Sequence, residues 1–230
     1  MTEQPRLATQ GIIARRTNYG EADRILTLIT PQGKLRALVR GVRKPKSRMA
    51  GGLSALSVCQ LTILKGKGEL DHIISTRQAV SWPSLVNDYD ATMLAYELIE
   101  QVNRLLENEA ESDYFELLVE ALTALDAGQD RALIELGFRL RLLKLLGHQP
   151  ELRQDANGQP LDSKQTYSMI PEEGTLQPDP AGTFDADAIK GWRVLLSLSL
   201  PQAGQVKGLS EVATRTLPLA KAFFAELYNR

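Results

Sequence analysis

The hydrophobic period of the chain changes once, at Trp82-Pro83, and this change constrains the fold more than any other feature. Before it, five runs rich in β-branched and apolar residues alternate with a period of two: "LATQGIIARRT", "RILTLITP", "KLRALVRGV", "SVCQLTILKG" and "LDHIISTRQAV". After it, apolar residues recur at the 3.6-residue spacing of a helix face. The two periods predict an α+β chain, with β-structure over residues 1–80 and a mostly α-helical region over 81–230. The boundary is expected near Ser81.

Turn chemistry fixes the connections. "NYGEAD" joins the first pair of strands, and Pro31-Gln32-Gly33 makes a tight turn between the second and third. Gly66-Lys67-Gly68 closes a hairpin between the fourth and fifth; no helix starts there, so it is not a phosphate loop. The remaining connection, Arg43 to Leu56, is long and holds Pro45, Gly51 and Gly52. Five short strands with one long basic loop suit a small closed barrel. The five-stranded OB-fold, which binds oligonucleotides on one face and its loops, is such a barrel, although other small barrels share the strand count.

In the helical region Leu94, Leu98, Val102 and Leu105 form one stripe. Asp113 is placed to cap a helix carrying Leu117, Leu118, Ala121, Leu122 and Leu125, with Gly128 as its stop. Asp130 opens "RALIELGFRLRLLKLL", apolar on more than one face and ended by Gly147, as expected of the central helix of a bundle. From 148 to 183 the pattern lapses into an irregular insertion, with "QTYSMI" alone suggesting a strand. Helical spacing returns at Ala186–Leu196 around Trp192 and from Glu211 to Tyr228, where Pro218 predicts a kink or a restart.

Charge follows the same division. Up to Val80 there are fourteen Lys and Arg against five Asp and Glu; from Ser81 onward there are thirteen against twenty-three. Every charged side chain between Lys34 and Arg48 is basic. Such segregation in a nearly neutral chain points to a polyanion partner for the basic part. On the third strand Lys34, Arg36 and Arg40 alternate with Leu35, Ala37 and Val39, so the cations share one face. Arg43, Lys44, Lys46 and Arg48 continue them in the loop. Arg15, Arg16 and Arg24 come from the first two strands, and Lys65 and Lys67 from the last hairpin. Point charges and guanidinium forks of this kind contact phosphates and read little sequence. Stacking platforms are scarce, with Tyr19 the one aromatic residue of the barrel part.

Catalytic patterns are missing. His72 and His148 are the two histidines, and neither stands at ligand spacing from a second histidine or a cysteine. Cys59, the single cysteine, lies among Val58, Leu61 and Ile63 as a buried thiol, so neither a disulfide nor a cysteine zinc site can form. Asp88 and Asp90, like Glu107, Glu109 and Glu111, suit helix ends and loop solvation. The chain is expected to be nonenzymatic, to need no cofactor and to lie in the cytoplasm with the nucleoid, since no run has signal-peptide or membrane-spanning character. A basic-barrel adaptor for an acidic protein surface and an RNA-binding factor are the alternatives; the latter uses 2′-hydroxyl contacts and more aromatics.

The run "GEADRILTLITPQGKLRALVRGVRKPKSRMAGGL" resembles the RecO family of DNA repair and recombination proteins. Its signature residues here are Gly20, Glu21, Asp23, Arg24, Gly33, Lys34, Gly41, Arg43, Lys44, Lys46 and Ser47. The resemblance implies an N-terminal OB-fold and a helical domain. It also implies binding of single- and double-stranded DNA, strand annealing, and action with RecR to load RecA onto DNA coated by single-stranded DNA-binding protein. Many family members carry a four-cysteine zinc module after the position of "GHQPEL"; this chain has no cysteine there, so side-chain packing must hold the stretch or leave it mobile. Glu21 and Asp23 are expected to hold Arg24 or loop arginines. If the resemblance extends to partners, Arg139, Arg141 and Lys144 on the central helix, or Arg215 and Lys221 near the end, are candidates to meet the acidic, apolar tail of single-stranded DNA-binding protein.

Overall fold

A computed structural model describes residues 5–66, 70–106 and 112–228. Five strands, β1 (Arg6–Tyr19), β2 (Asp23–Thr30), β3 (Gly33–Val39), β4 (Ser57–Leu64) and β5 (Asp71–Ser81), close a barrel in the order β1-β2-β3-β5-β4. This is the OB-fold. All neighbours are antiparallel except β3 and β5, which run parallel through Ala37–Asp71 and Leu38–His72. Period-two alternation sends Ile13, Leu26, Leu28, Ala37, Val39, Cys59, Leu61, Ile63 and Ile73 into one apolar interior.

The glycine turns are where the sequence places them. Gly20 and Gly33 take positive φ, at 56° and 95°, which L side chains rarely adopt. Strands β4 and β5 pair antiparallel, as a hairpin requires, but Lys67 and Gly68, expected in its turn, lie outside the described residues.

Among the described residues seven helices follow: α1 (Pro83–Asn87), α2 (Tyr89–Leu105), α3 (Ser112–Asp126), α4 (Arg131–Leu145), α5 (Ala186–Ser197), α6 (Leu200–Ala203) and α7 (Leu209–Tyr228). The described chain divides into two compact units, 1–122 and 123–230. In the first, α2 is capped by Asp88, whose carboxylate accepts from the Ala91 N–H at 3.0 Å, and it turns Leu94, Leu98 and Val102 inward. It touches β1, and Lys34 of β3 bonds to its last carbonyls. Asp113 is not the cap of α3: the helix already includes Ser112, and Asp113 stands in its first turn. There its charge still suits the positive end of the helix dipole. Glu107, Glu109 and Glu111 lie outside the described residues.

In the second unit Asp130 caps α4, accepting from the Leu133 N–H at 2.8 Å, and Leu133 to Leu140 is buried without a break. It packs on α5, α6 and α7, as a central helix must. Gly147, at φ 80°, ends it, and the His148 N–H returns to the Leu143 carbonyl at 2.8 Å. The irregular insertion contains two strands, β6 (Tyr167–Ile170) and β7 (Thr175–Pro178), paired as a hairpin. Tyr167, Leu176 and Phe184 are buried, and Phe184 meets Trp192 of α5 edge to face at 4.8 Å. Side-chain packing therefore holds the stretch. Helix α7 runs through Pro218 without a restart. No helix of the described residues is long and apolar enough to cross a membrane.

Candidate nucleic-acid interface

The sequence groups twelve barrel cations into one basic surface; the structure separates those that build the fold from those left open. Lys34 builds. Its ammonium donates to the carbonyls of Asn103 and Leu106, at 2.6 and 3.2 Å, filling orphan acceptors at the C-terminus of α2. Around it Ile12 and Ile29, outward-facing by register, are fully buried. This end of the outer face is structural.

One rung further along, the face is cationic. Arg15 lies opposite Thr27, and Thr27 opposite Arg36, so two guanidinium groups flank one threonine across β1-β2-β3. Their Cα atoms are two strand spacings apart, about 10 Å. A β-bulge between Ile13 and Arg15 makes this possible. The extra residue shifts the alternation of β1, so Arg15 faces outward and Arg16 turns toward the barrel end. There Arg16 donates to the Leu53 carbonyl at 2.7 Å. Arg24, opposite Val39, likewise turns to the barrel end and donates to Asn18 Oδ1 at 3.2 Å.

The basic loop is pinned at its base. Asp23 Oδ1 accepts from the Gly41 N–H at 2.7 Å, and the Arg43 N–H bonds to the Ala22 carbonyl at 2.9 Å. Arg43 also donates its guanidinium to the Gly20 carbonyl at 3.1 Å. Asp23 thus holds the loop through a backbone amide rather than through an arginine. At the far end the Thr76 hydroxyl donates to the Met49 carbonyl at 3.0 Å. Between these anchors Lys44, Lys46 and Arg48 are exposed. Arg15, Arg36, Arg40, Lys44, Lys46 and Arg48 make no side-chain hydrogen bond or ion pair among the described residues, and of the twelve these six are the ones left open. Lys65 pairs with Asp71 at 2.9 Å, and Lys67 lies outside the described residues. The sequence reading passed over Arg77, exposed on β5 in line with Gln60 and Gln10 on the other side of the barrel. Two bulges in the β4–β5 ladder hide its facing from simple alternation.

Burial pushes the Cys59 thiol up from its ordinary pKa, keeping it protonated and unreactive inside the barrel. Among the described residues no group of three or more His, Cys, Asp or Glu is placed to hold a metal ion.

Family models for the N-terminal and C-terminal parts of recombination protein O match residues 1–80 and 86–224. The chain belongs to the RecO family. Among curated RecO proteins, all bearing the name DNA repair protein RecO, one from Roseiflexus sp. (strain RS-1) is 32% identical over 96% of this chain and 81% of its own length. One from Dehalococcoides mccartyi (strain ATCC BAA-2266 / KCTC 15142 / 195) is 29% identical over 90% of this chain and 85% of its own. A third, from Heliobacterium modesticaldum, is 36% identical over 73% of this chain and 62% of its own.

The cations expected to meet a partner tail in this RecO-family chain are mostly engaged within the second unit. Arg139 is buried, donates to Glu135 Oε1 at 2.8 Å and lies over the Phe224 ring at 5.4 Å. Lys221 reaches the same Glu135 oxygen at 2.8 Å. Arg215 forks onto both oxygens of Asp185, at 2.6 and 2.8 Å, and holds that carboxyl below its ordinary pKa. Arg141 is half-buried, and Lys144 is exposed in the last turn of α4.

Proposed function

We propose that this chain works in recombinational DNA repair as a nonenzymatic DNA-binding mediator, and that its barrel holds DNA on the open cationic face. The observation carrying this reading is the Arg15–Thr27–Arg36 rung continued by Arg40, Lys44, Lys46 and Arg48. An OB-fold presents this face to oligonucleotides, and unpaired guanidinium and ammonium groups suit phosphate. Because the contacts are to backbone, single and double strands both fit, and two complementary strands can be held and annealed. DNA binding is assigned to residues 1–80 and partner contact to residues 81–230, whose excess of carboxylates repels phosphate. Joint action with RecR and RecA, and docking of the tail of single-stranded DNA-binding protein beside Lys144, are part of this proposal.

The test is a titration of the full chain with single- and double-stranded oligonucleotides at several salt concentrations, followed by an annealing assay with and without RecR. A linear fall of log affinity with log salt is expected. Lys44→Ala, Lys46→Ala and Arg48→Ala together should flatten it by roughly 0.7 to 0.9 per lost contact. Salt-independent binding, or a preference for an acidic protein over DNA, would remove the reading.

A further inference from the structure

The β3–β5 seam is short, and beside it lies a cleft of about 560 Å³ lined by Arg40, Met49, Leu64, Lys65, His72 and Ile74, among others. Clefts of this volume with apolar walls and few polar groups are typical small-ligand sites. Ile74 explains part of the shape. Thr62 is paired with Ser75 and Ile63 with Ile73, so Ile74 is the extra residue of a bulge and is 44% exposed. Met49 and Leu64 complete an apolar wall, and His72, outward by register opposite Leu38, adds ring nitrogens that can donate or accept. Lys65 is tied to Asp71, whereas Arg40 has no partner among the described residues.

We propose that this cleft takes one unstacked base of a DNA strand lying on the cationic face, with Arg40 on the adjoining phosphate. The inference rests on the DNA-binding reading and gives it a base-contacting subsite. Arg36 lies on the outer face of β3 and Arg40 just past its end, about 13 Å apart if the chain stays extended, so a backbone tracking them is led to the cleft. One open guanidinium at the cleft, with Lys65 already paired to Asp71, matches a single phosphodiester charge and works against a peptide carrying several carboxylates. An apolar slot also answers the scarcity of aromatic residues: a base buries its face there instead of stacking on a ring.

The full chain is titrated by fluorescence anisotropy with oligothymidylate and with an abasic phosphodiester strand of equal length. Wild type should prefer the strand with bases by on the order of tenfold, the lower range of one base contact. Ile74→Ser, at a half-exposed position that leaves the barrel interior intact, should abolish that preference without changing the salt slope. Arg40→Ala should instead flatten the slope for both strands. An unchanged preference in folded Ile74→Ser, with DNA still bound, overturns the subsite and leaves the cationic face standing. Failure of wild type to bind either strand defeats both. An acidic, apolar peptide whose binding is weakened by Ile74→Ser, with the base preference untouched, would make the cleft a peptide site and overturn the proposal.

Discussion

Replacing Arg15, Arg36 and Arg40 together with Ala should separate the cations that bind from those that build. All three are exposed and unpaired among the described residues, so the variant should keep its stability within about 0.5 kcal/mol. If each contacts one phosphate, the slope of log affinity against log salt should flatten by about 2.1 on single strands and 2.7 on duplex. Across a fourfold rise in salt that removes roughly 20- to 40-fold of the wild type's loss of affinity. Lys34→Met is the control. It removes the ammonium that fills the Asn103 and Leu106 carbonyls, and should cost about 1 to 2 kcal/mol while leaving the slope alone. Circular-dichroism melts and anisotropy titrations on both variants decide it. An unchanged slope in the folded triple variant, or a drop of equal size in Lys34→Met, would refute the division.

Gly52→Ala should loosen the end of the basic loop, since the added Cβ would come within 2.3 Å of Thr76 Oγ1 and 2.7 Å of the Thr76 carbonyl carbon. A melt should show a loss of about 1 to 3 kcal/mol, and limited proteolysis should cut near Met49. Arg139→Met leaves the buried Glu135 with Lys221 alone and should cost up to about 3 to 5 kcal/mol in urea unfolding; adding Glu135→Leu should recover much of it. Arg215 lowers the Asp185 pKa in the folded chain, so the pair stabilises fully above the ordinary carboxylate pKa and less as pH falls through the folded value. Asp185→Asn should therefore flatten the acid side of a stability–pH profile, and cost less than about 1 kcal/mol at neutral pH because the pair is partly exposed.

Much of this architecture is legible in the order of the residues. The strand periods, the glycine turns at Gly20 and Gly33, the Asp130 cap and the Gly128 and Gly147 stops are local features with local causes. The family signature at residues 20–47 adds the fold type. What escapes the sequence depends on register or on distant partners. The bulge before Arg15 reverses the facing of two adjacent arginines, which no alternation rule can place. Lys34 looks like its neighbours on β3, yet its partners come from residues 103 and 106. Arg139 reads as a surface cation on a leucine-rich helix, and becomes buried because Glu135 and Phe224 receive it. Strand β7 is hidden because "TLQP" is short and ends in proline; it exists by pairing with β6 and burying Leu176. The candidate site is thus visible as a set of cations, but their sorting requires three dimensions.

The way the barrel closes has a consequence for its synthesis. The β1-β2-β3 meander and the β4–β5 pair each join strands close in sequence, and such pairings form early. Closure depends on β1 reaching β4, with Arg6 opposite Leu64, and on two parallel pairs between β3 and β5. Both must wait until the later strands leave the ribosome. Until then β3 is an open edge, the kind of strand that templates pairing with a neighbouring nascent chain. Lys34 and Arg36 on that strand, and Arg40 just past its end, repel a second copy of themselves. Arg36 and Arg40, proposed to hold phosphate in the finished protein, therefore also guard the unfinished one against aggregation.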